Sequence, residues 1–407
     1  MKKFIVVCLI LLACMLILLP DKKLQKKNEL VFWTLQMSDF APYMNEVISE
    51  FEHSYPTIKI KWVDVPFSEG EKRTLAAILS DTPPDLVNLN PDFSAILAQK
   101  GALAEIEEDN VQHFNQEIIS SLKYNDKLYA IPWYATSAIT IYNKDLAGKA
   151  GFLYRIPKTY EELGKDAPII KERTGAFAFM PTITENDTMM KILNKNGINS
   201  AENINSKESV MIFDFYKNLY AKNLIPKETI TQTQREGLEK YMSNQIVFFQ
   251  SGANFLNMIK ENSPSTYKNT DVAPQIVGTL GQNDFSLMNL VIPLRSSKKQ
   301  DTIKFAMFLT NEANQLKLAK LTNVLATDNK ALSNEYYTTY KEGDLIAKAR
   351  VISASQLNHI KPVLIQNKGQ KEVNLLINTA VQEVLLNKAP TKSILDDVAK
   401  KWKMLME

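Results

Sequence analysis

The side chains best suited to catalysis are few and widely separated in this 407-residue chain. Its three histidines, His53, His113 and His359, lack the short spacing of metal ligands that share one helix or loop. Both cysteines, Cys8 and Cys14, precede residue 20, and the sequence contains no phosphate-binding loop, dinucleotide fingerprint or serine-nucleophile motif. The sequence therefore predicts no catalytic residues, no metal site and no cofactor.

One run of acidic residues, Glu105, Glu107, Glu108 and Asp109, could suggest glycoside hydrolysis. That reaction needs two carboxyl groups at a defined separation across a single bond. Closely spaced acids after the short apolar run ALAEI are typical of a solvated loop, and we interpret them in that way. We therefore expect a binding protein rather than an enzyme.

Amides, carboxylates and aromatic rings recur where predicted strands end, and this mixture suits the binding of a sugar. Aromatic rings stack on the C–H face of a sugar, while planar amides and carboxylates pair with its hydroxyl groups. The candidate ligand-binding residues are Gln36, Asp39, Phe40, Asn90, Asp92, Trp133, Tyr134, Asn254, Phe255 and Asn283. One alternative stays open at this stage, because Asp92 is equally placed to cap the helix that follows it.

The segment IPWYATSAITIYNKD, residues 131–145, places an aromatic pair directly before an alternating strand. Trp133 and Tyr134 are followed by the small hydroxylated residues Thr136 and Ser137. The neighbouring proline and small side chains indicate a surface junction, so we expect the two rings to line a cleft.

Strands and helices alternate at the beginning of the folded body. Residues 29–35, 58–65 and 86–90 are short apolar or alternating runs that predict strands. Apolar residues at helical spacing between Met44 and Phe51, and a second helical segment at 70–81, predict the intervening helices. This order is typical of an α/β protein with a mostly parallel sheet, in which ligands bind beyond the carboxyl ends of the strands.

The N-terminus combines two lysines with an apolar run from Phe4 to Leu19. Sixteen helical residues would span ~24 Å, less than the ~30 Å hydrocarbon core of a bilayer, so residues 1–20 are typical of an export signal. Leu11 to Cys14 resembles a lipobox, which would make Cys14 a lipidation site; the alternative is an uncleaved signal anchor. We expect residues 21–29 to be a charged tether and the body to lie outside the cytoplasm, held at the membrane.

Length and charge limit the remaining possibilities. A chain of 407 residues exceeds what one core usually holds, which favours two lobes. Its 48 basic and 45 acidic residues nearly balance. A nucleic-acid-binding protein would concentrate positive charge on one face, whereas the few arginines here are scattered, so we expect no nucleic-acid partner.

Several ordered segments resemble one known family, the extracellular solute-binding proteins (family 1) of bacterial ABC transporters for carbohydrates. The similar segments are FWTLQMSDFAPYMNEVISEFEHSYPTIKIKWVDVPF, ILSDTPPDLVNLNPDFSAILAQKGALAEI, YAIPWYATSAITIYNKDLAGKAGF with IPKTYEEL, LVIPLRSSKKQDTIKFAMFLTN and NTAVQEVLLNKAPTKSILDDVAKKW. They extend over nearly everything after residue 29. The chain departs from the family where many relatives carry an aromatic residue at the position of Asn254, and Gly and Pro in place of Asn323 and Ala326.

The resemblance implies a two-lobe periplasmic-binding-protein fold (type II), with mostly parallel sheets flanked by helices and a cleft between the lobes. Lobe 1 would contain residues 30–137 and 291–328, and lobe 2 residues 138–290 and 329–407. It also implies a monomer that binds a carbohydrate, closes around it and delivers it to an ABC permease and its ATPase.

Two other classes of function remain open. The same fold could bind a peptide, a polyamine or an organic anion, but a ring of acids or a cluster of arginines would then be expected, and neither is present. A membrane-anchored carbohydrate-active enzyme would need two convergent carboxylates, for which the sequence offers only Asp39 and Asp92. Neutral sugars are therefore favoured.

Overall fold

The computed structural model describes residues 28–35, 37, 40–152, 155–278, 281, 283, 285–357 and 369–406. The predictions for Cys14, Gln36 and Asp39, and for most of the segment 1–29, lie outside these residues. Among the described residues, no helix combines the length and the apolar character needed to cross a bilayer.

Ten strands and eighteen α-helices organise the described chain. The strands are β1 (Asn28–Leu35), β2 (Ile58–Val65), β3 (Leu86–Leu89), β4 (Lys123–Tyr124), β5 (Lys127–Leu128), β6 (Ile131–Asn143), β7 (Phe248–Gly252), β8 (Thr270–Pro274), β9 (Phe285–Val291) and β10 (Leu325–Ala326). The predicted strands at 29–35, 58–65 and 86–90 are thereby confirmed.

The helices connect and cover these strands. They are α1 (Ala41–Ser54), α2 (Phe67–Leu79), α3 (Pro91–Gln99), α4 (Gln116–Ser120), α5 (Lys144–Ala150), α6 (Tyr160–Thr174), α7 (Thr188–Asn194), α8 (Lys207–Ala221), α9 (Gln234–Met242), α10 (Phe255–Asn262), α11 (Pro264–Lys268), α12 (Lys299–Leu309), α13 (Glu312–Thr322), α14 (Asn329–Leu332), α15 (Glu335–Thr338), α16 (Leu345–Gln356), α17 (Gln370–Leu385) and α18 (Thr391–Met406). Short 3₁₀ turns occur at Glu108–Val111 and Lys227–Ile230. The helical spacing seen in the sequence of α1 is confirmed, since Met44, Val47 and Phe51 are buried on one face.

Eight of these strands form a mixed sheet rather than the mostly parallel one that the sequence pattern predicted, and β4 and β5 form a separate pair. The order is β10-β6-β9-β3-β1-β2, and β7 and β8 also pair with β6. Only the β1–β2 and β1–β3 pairs are parallel among the described strands. The antiparallel pairs arise because the long strand β6 and the returning strand β9 run against their neighbours.

One backbone N–H at an edge of this sheet is capped by a side chain. β2 is the last strand in the order, so one side of its backbone has no strand partner. The Glu52 carboxylate from α1 accepts a hydrogen bond from the backbone N–H of Ile60 at 2.9 Å. The same carboxylate forms an ion pair with Lys59.

Three hydrophobic cores lie along this framework. The first core joins residues between 30 and 135 to residues between 285 and 337, together with Leu357. The second core joins residues between 142 and 276 to the closing helices α17 and α18. The third, smaller core packs the far half of β6 and β7 against α9, α10 and Ala349 of α16.

The cores group two segments differently from the predicted lobes. Phe285 and Leu287, assigned to lobe 2 from the sequence, lie in the first core because β9 pairs with β3 and with the first half of β6. Ala331 and Tyr337 also pack in the first core, and the Tyr337 hydroxyl accepts a hydrogen bond from the backbone N–H of Ala326. The division of the other segments between two lobes stays a prediction.

A buried glutamine, Gln315, stabilises the first core through polar contacts. Its Oε1 accepts hydrogen bonds from the backbone N–H groups of Thr327 and Asp328 at 2.6 and 3.1 Å. Its Nε2 donates to the Thr310 carbonyl at 3.1 Å and to Thr327 Oγ1 at 3.0 Å. This one side chain therefore fixes the loop after β10 against α13.

Replacing this glutamine tests the strength of that attachment. Gln315→Met keeps the side-chain length but leaves two buried N–H groups unpaired, so we expect the free energy of unfolding to fall by about 1–3 kcal/mol. Guanidinium unfolding followed by circular dichroism measures the change. The exposed Gln382 provides a control, since Gln382→Met should stay within about 0.5 kcal/mol; equal effects of the two substitutions would contradict the assignment.

Candidate functional site

A cleft of about 340 Å³, which we call the β6 cleft, opens beside the middle of β6. Thr136, Ser137 and Ala138 line it, where the strand passes from the first core toward the third. The volume lies near the lower end of the range of roughly 300–1,000 Å³ for small-molecule sites.

Aromatic side chains form much of the cleft wall. They are Tyr160, Phe179, Tyr216, Phe248, Phe249, Phe255 and Phe285. Tyr160 and Phe255 are half-buried, whereas the other five are buried. Tyr160 and Phe255 are therefore the two rings best placed to present a flat apolar face to a ligand.

Amides and hydroxyls complete the lining. These residues are Gln234, Gln250, Asn254, Thr136, Ser137, Thr182, Thr188, Ser251 and Ser286. Among the described lining residues Lys191 is the only charged one, and its Nζ lies 3.2 Å from Asp187 Oδ1. The cleft thus offers many neutral hydrogen-bonding groups and one cation that already has a counter-charge.

The turn after β7 places two of these groups. β7 ends at Gly252, and a Cβ there would lie 2.5 Å from Asn254 Oδ1, so glycine permits the close approach of that amide. Asn254 is exposed at the start of α10. Phe255 follows it and packs edge-to-face on Phe249, with ring centroids 6.0 Å apart.

Gln234, at the start of α9, is held against β7. Its Nε2 donates to the Gln250 carbonyl at 2.8 Å and to Ser251 Oγ at 3.1 Å. Its backbone N–H donates to Glu185 Oε2 at 2.8 Å. These contacts order one polar wall of the cleft.

Tyr216 is a buried member of the cleft lining. Burial raises the pKa of Tyr216 well above its usual range, so the phenol stays protonated and neutral. Its hydroxyl has no hydrogen-bond partner among the described residues. A buried group of this kind is costly to leave unpaired.

Some of the predicted ligand-binding residues line the β6 cleft and others do not. Asn254 and Phe255 line the β6 cleft, together with Thr136 and Ser137. Phe40, Asn90, Asp92, Tyr134 and Asn283 are not among the described residues that line it. Sequence reasoning missed Tyr160, Gln234 and Gln250, which follow a helix cap or lie within a strand and carry no distinctive local signal.

Four of the residues outside the cleft have structural contacts instead. Asn90 caps α3, since its Oδ1 accepts a hydrogen bond from the Phe93 N–H at 2.8 Å, and Asp92 lies in the first turn of the same helix. Phe40 packs against the first core at the start of α1. Asn283 donates from Nδ2 to the Gln356 carbonyl at 3.1 Å.

The prediction that Trp133 lines the cleft is wrong. Its side chain is 0% exposed and lies in the first core, with its ring 5.9 Å from that of Phe32. Tyr134 is half-buried, packs against the same core, and its ring lies 5.3 Å from Trp133. Alternation along β6 explains the outcome, because Trp133 and Ala135 share the inward face.

This correction changes what a substitution of Trp133 should do. Trp133→Ala removes a large buried ring, so we expect the free energy of unfolding to fall by about 3–5 kcal/mol. Chemical unfolding monitored by circular dichroism measures the loss, and Trp133→Phe should lose much less. If Trp133→Ala left the free energy of unfolding unchanged but abolished ligand binding, the placement of Trp133 in the first core would be contradicted.

Comparison with known proteins assigns the family. The sequence model for bacterial extracellular solute-binding proteins matches residues 36–316, more than half of the chain. The chain belongs to this family. The assignment confirms the predicted family, makes the protein an extracytoplasmic solute-binding protein rather than an enzyme, and agrees with the α/β architecture.

Individual relatives agree with this assignment. A solved structure from Synechococcus sp. MITs9220, described as an oligosaccharide periplasmic-binding protein, is 30% identical, has a TM-score of 0.84, and the match covers 92% of this chain and 98% of that one. Maltose-bound MalE3 of T. maritima has the same fold, with a TM-score of 0.74 at 19% identity, over 93% of this chain and 99% of that one. The diacetylchitobiose binding protein DasA of Streptomyces coelicolor is 22% identical over 51% of each chain.

Proposed function

We propose that this protein is the substrate-binding subunit of a carbohydrate ABC importer and holds a neutral sugar in the β6 cleft. The observation that carries the proposal is the composition of the cleft wall. Aromatic rings stand beside neutral amides and hydroxyls, and the only charged residue among the described lining residues, Lys191, is paired with Asp187.

The chemistry of a sugar fits this wall. Tyr160 and Phe255 can stack on the C–H face of a pyranose ring. Asn254, Gln234 and Gln250 supply planar amides that pair with ring hydroxyls. A site of this kind rejects ligands that leave its polar groups unpaired, which provides specificity.

The names of the relatives support the same ligand class. Among the similar proteins are a diacetylchitobiose binding protein, a mannitol-binding protein of Pseudomonas aeruginosa, and a structure with bound maltose. Their ligands are neutral polyhydroxylated molecules. A polyamine would need carboxylates in the lining, and an organic anion would need a cation without a counter-charge.

Transport then follows from a change in conformation rather than from bond cleavage. A ligand that contacts both sides of the cleft stabilises the closed arrangement of two lobes more than the open one. The permease recognises the closed, loaded protein, and its ATPase drives transport. The ligand is released unchanged, so the binding subunit needs no catalytic residue.

A thermal-shift screen of the full-length protein in detergent tests the ligand class. Neutral mono- and disaccharides, polyols, polyamines and short peptides are the probes. A ligand at 100 times its Kd adds about 2.7 kcal/mol to stability, so a sugar should raise the Tm by a measurable amount. Phe255→Ala should weaken binding of that sugar about tenfold, since a lost stacking contact and its buried area are together of that order.

Met258 provides a matched control for that substitution. It lies on the same helix, α10, is exposed, and does not line the β6 cleft. Met258→Ala should leave sugar binding unchanged. A Tm shift with a peptide or polyamine alone would overturn the carbohydrate assignment, and chromatographic detection of sugar turnover would contradict the transport role.

We further propose that the N-terminal segment holds the protein at the outer face of the cell membrane, with Cys14 as the lipidated residue. The support is the sequence of residues 1–20, in which two lysines precede an apolar run and Leu11 to Cys14 resembles a lipobox.

Metabolic labelling with an alkyne fatty acid tests this proposal in cells that express the full chain. The wild-type protein and Cys8→Ser should incorporate label, and Cys14→Ser should not. Absence of label from the wild-type protein, combined with its recovery in the membrane fraction, would instead identify an uncleaved anchor.

A further inference from the structure

Gln356 lies at a point where the chain passes between two of the cores. It is the last residue of α16, and its side chain is buried. Earlier in the same helix Ala349 belongs to the third core, whereas Leu357, the next residue after the helix, belongs to the first core. α16 thus extends from the third core to the first core.

The Gln356 side chain contacts the crossing point of β6. Its Nε2 donates to Ser137 Oγ at 3.0 Å and to the Ala138 carbonyl at 2.9 Å. Ser137 pairs with Phe285 of β9, and Ala138 pairs with Gly252 of β7, so β6 changes partners between these two residues. Gln356 therefore binds the strand at the point where it leaves one half of the sheet for the other.

The same residue also contacts the connection from β8 to β9, along which the chain returns to the first core. Gln356 Oε1 accepts a hydrogen bond from the Gln275 backbone N–H at 2.8 Å. The Gln356 carbonyl accepts from Asn283 Nδ2 at 3.1 Å, and Gln275 Nε2 donates to Ser137 Oγ at 3.3 Å. Both ends of this connection are thereby attached to the end of α16.

We infer that Gln356 is a positioning residue for ligand binding, which sets the relative orientation of the two sides of the β6 cleft by joining three passages of the chain. The inference rests on the proposed function. Gln356 does not line the cleft, but Ser137 and Ala138, which it holds, do. Without its hydrogen bonds the passages can shift independently. Phe285 and Ser286 of β9 then no longer keep their positions relative to the lining residues of the second and third cores.

A comparison of two buried glutamines separates this role from a general effect on stability. Gln356→Met and Gln315→Met both keep the side-chain length and remove buried hydrogen bonds. The partners of Gln315 lie between Thr310 and Asp328 and belong to one side of the molecule. Gln315→Met is therefore the matched control, since it weakens the fold without releasing the passages.

Single-molecule energy transfer on the full-length protein in detergent measures the orientation. Cys8→Ser and Cys14→Ser remove the native thiols, and Lys100→Cys and Lys207→Cys attach dyes at exposed positions beside the first and second cores. Without ligand, Gln356→Met should shift or broaden the transfer distribution, while Gln315→Met leaves it unchanged. Asn283→Ala removes only one of the bonds, should fold normally, and should give a smaller shift in the same direction.

Maltose titration provides the second measurement. Gln356→Met should raise the apparent Kd for maltose about tenfold, and Gln315→Met less than twofold. If the unsubstituted protein binds neither maltose nor any sugar of the thermal-shift screen, the proposed function fails, whereas the ligand-free transfer distribution still decides the role of Gln356. Unchanged distributions for both Gln356→Met and Asn283→Ala would overturn the inference.

Discussion

The backbone hydrogen bonding of β6 is the constraint on which the rest of the structure depends. This 13-residue strand pairs with β9 and β10 in its first half and with β7 and β8 in its second half. Interior strands need partners for their N–H and C=O groups on both sides. β6 finds these partners in two separate groups of strands. The β6 cleft lies beside the residues at which β6 changes from one group to the other.

Several of these strands and helices can be predicted from the sequence, because the pattern of neighbouring apolar and polar residues determines them. The alternation in β1 and β2 and the helical spacing in α1 predict those elements. Asn254 and Phe255 are predicted ligand-binding residues because they follow a predicted strand. Alternation does not say which of the two faces is buried, and for that reason Trp133 was assigned to the cleft although it lies in the core. Strand direction is equally invisible in a short apolar run, so the mixed sheet was not predicted.

The polar contacts that organise the crossing region could not be predicted in this way. Gln356 and Ser137 are separated by 219 residues, and nothing in the local sequence of either indicates the other. A buried amide is favourable only when the fold has already brought its partners within reach. The same holds for Tyr160 and Gln234, which reach the cleft because the packing of α6 and α9 brings them there.

The Glu52 carboxylate at the sheet edge has a consequence for the behaviour of the protein among its neighbours. An open edge strand presents a row of free amides and carbonyls that can recruit a strand from another molecule. Glu52 occupies the outward N–H of Ile60, and the charged Lys59 stands beside it. A strand from another molecule that approached this position would have to displace the Glu52 carboxylate before it could pair with Ile60.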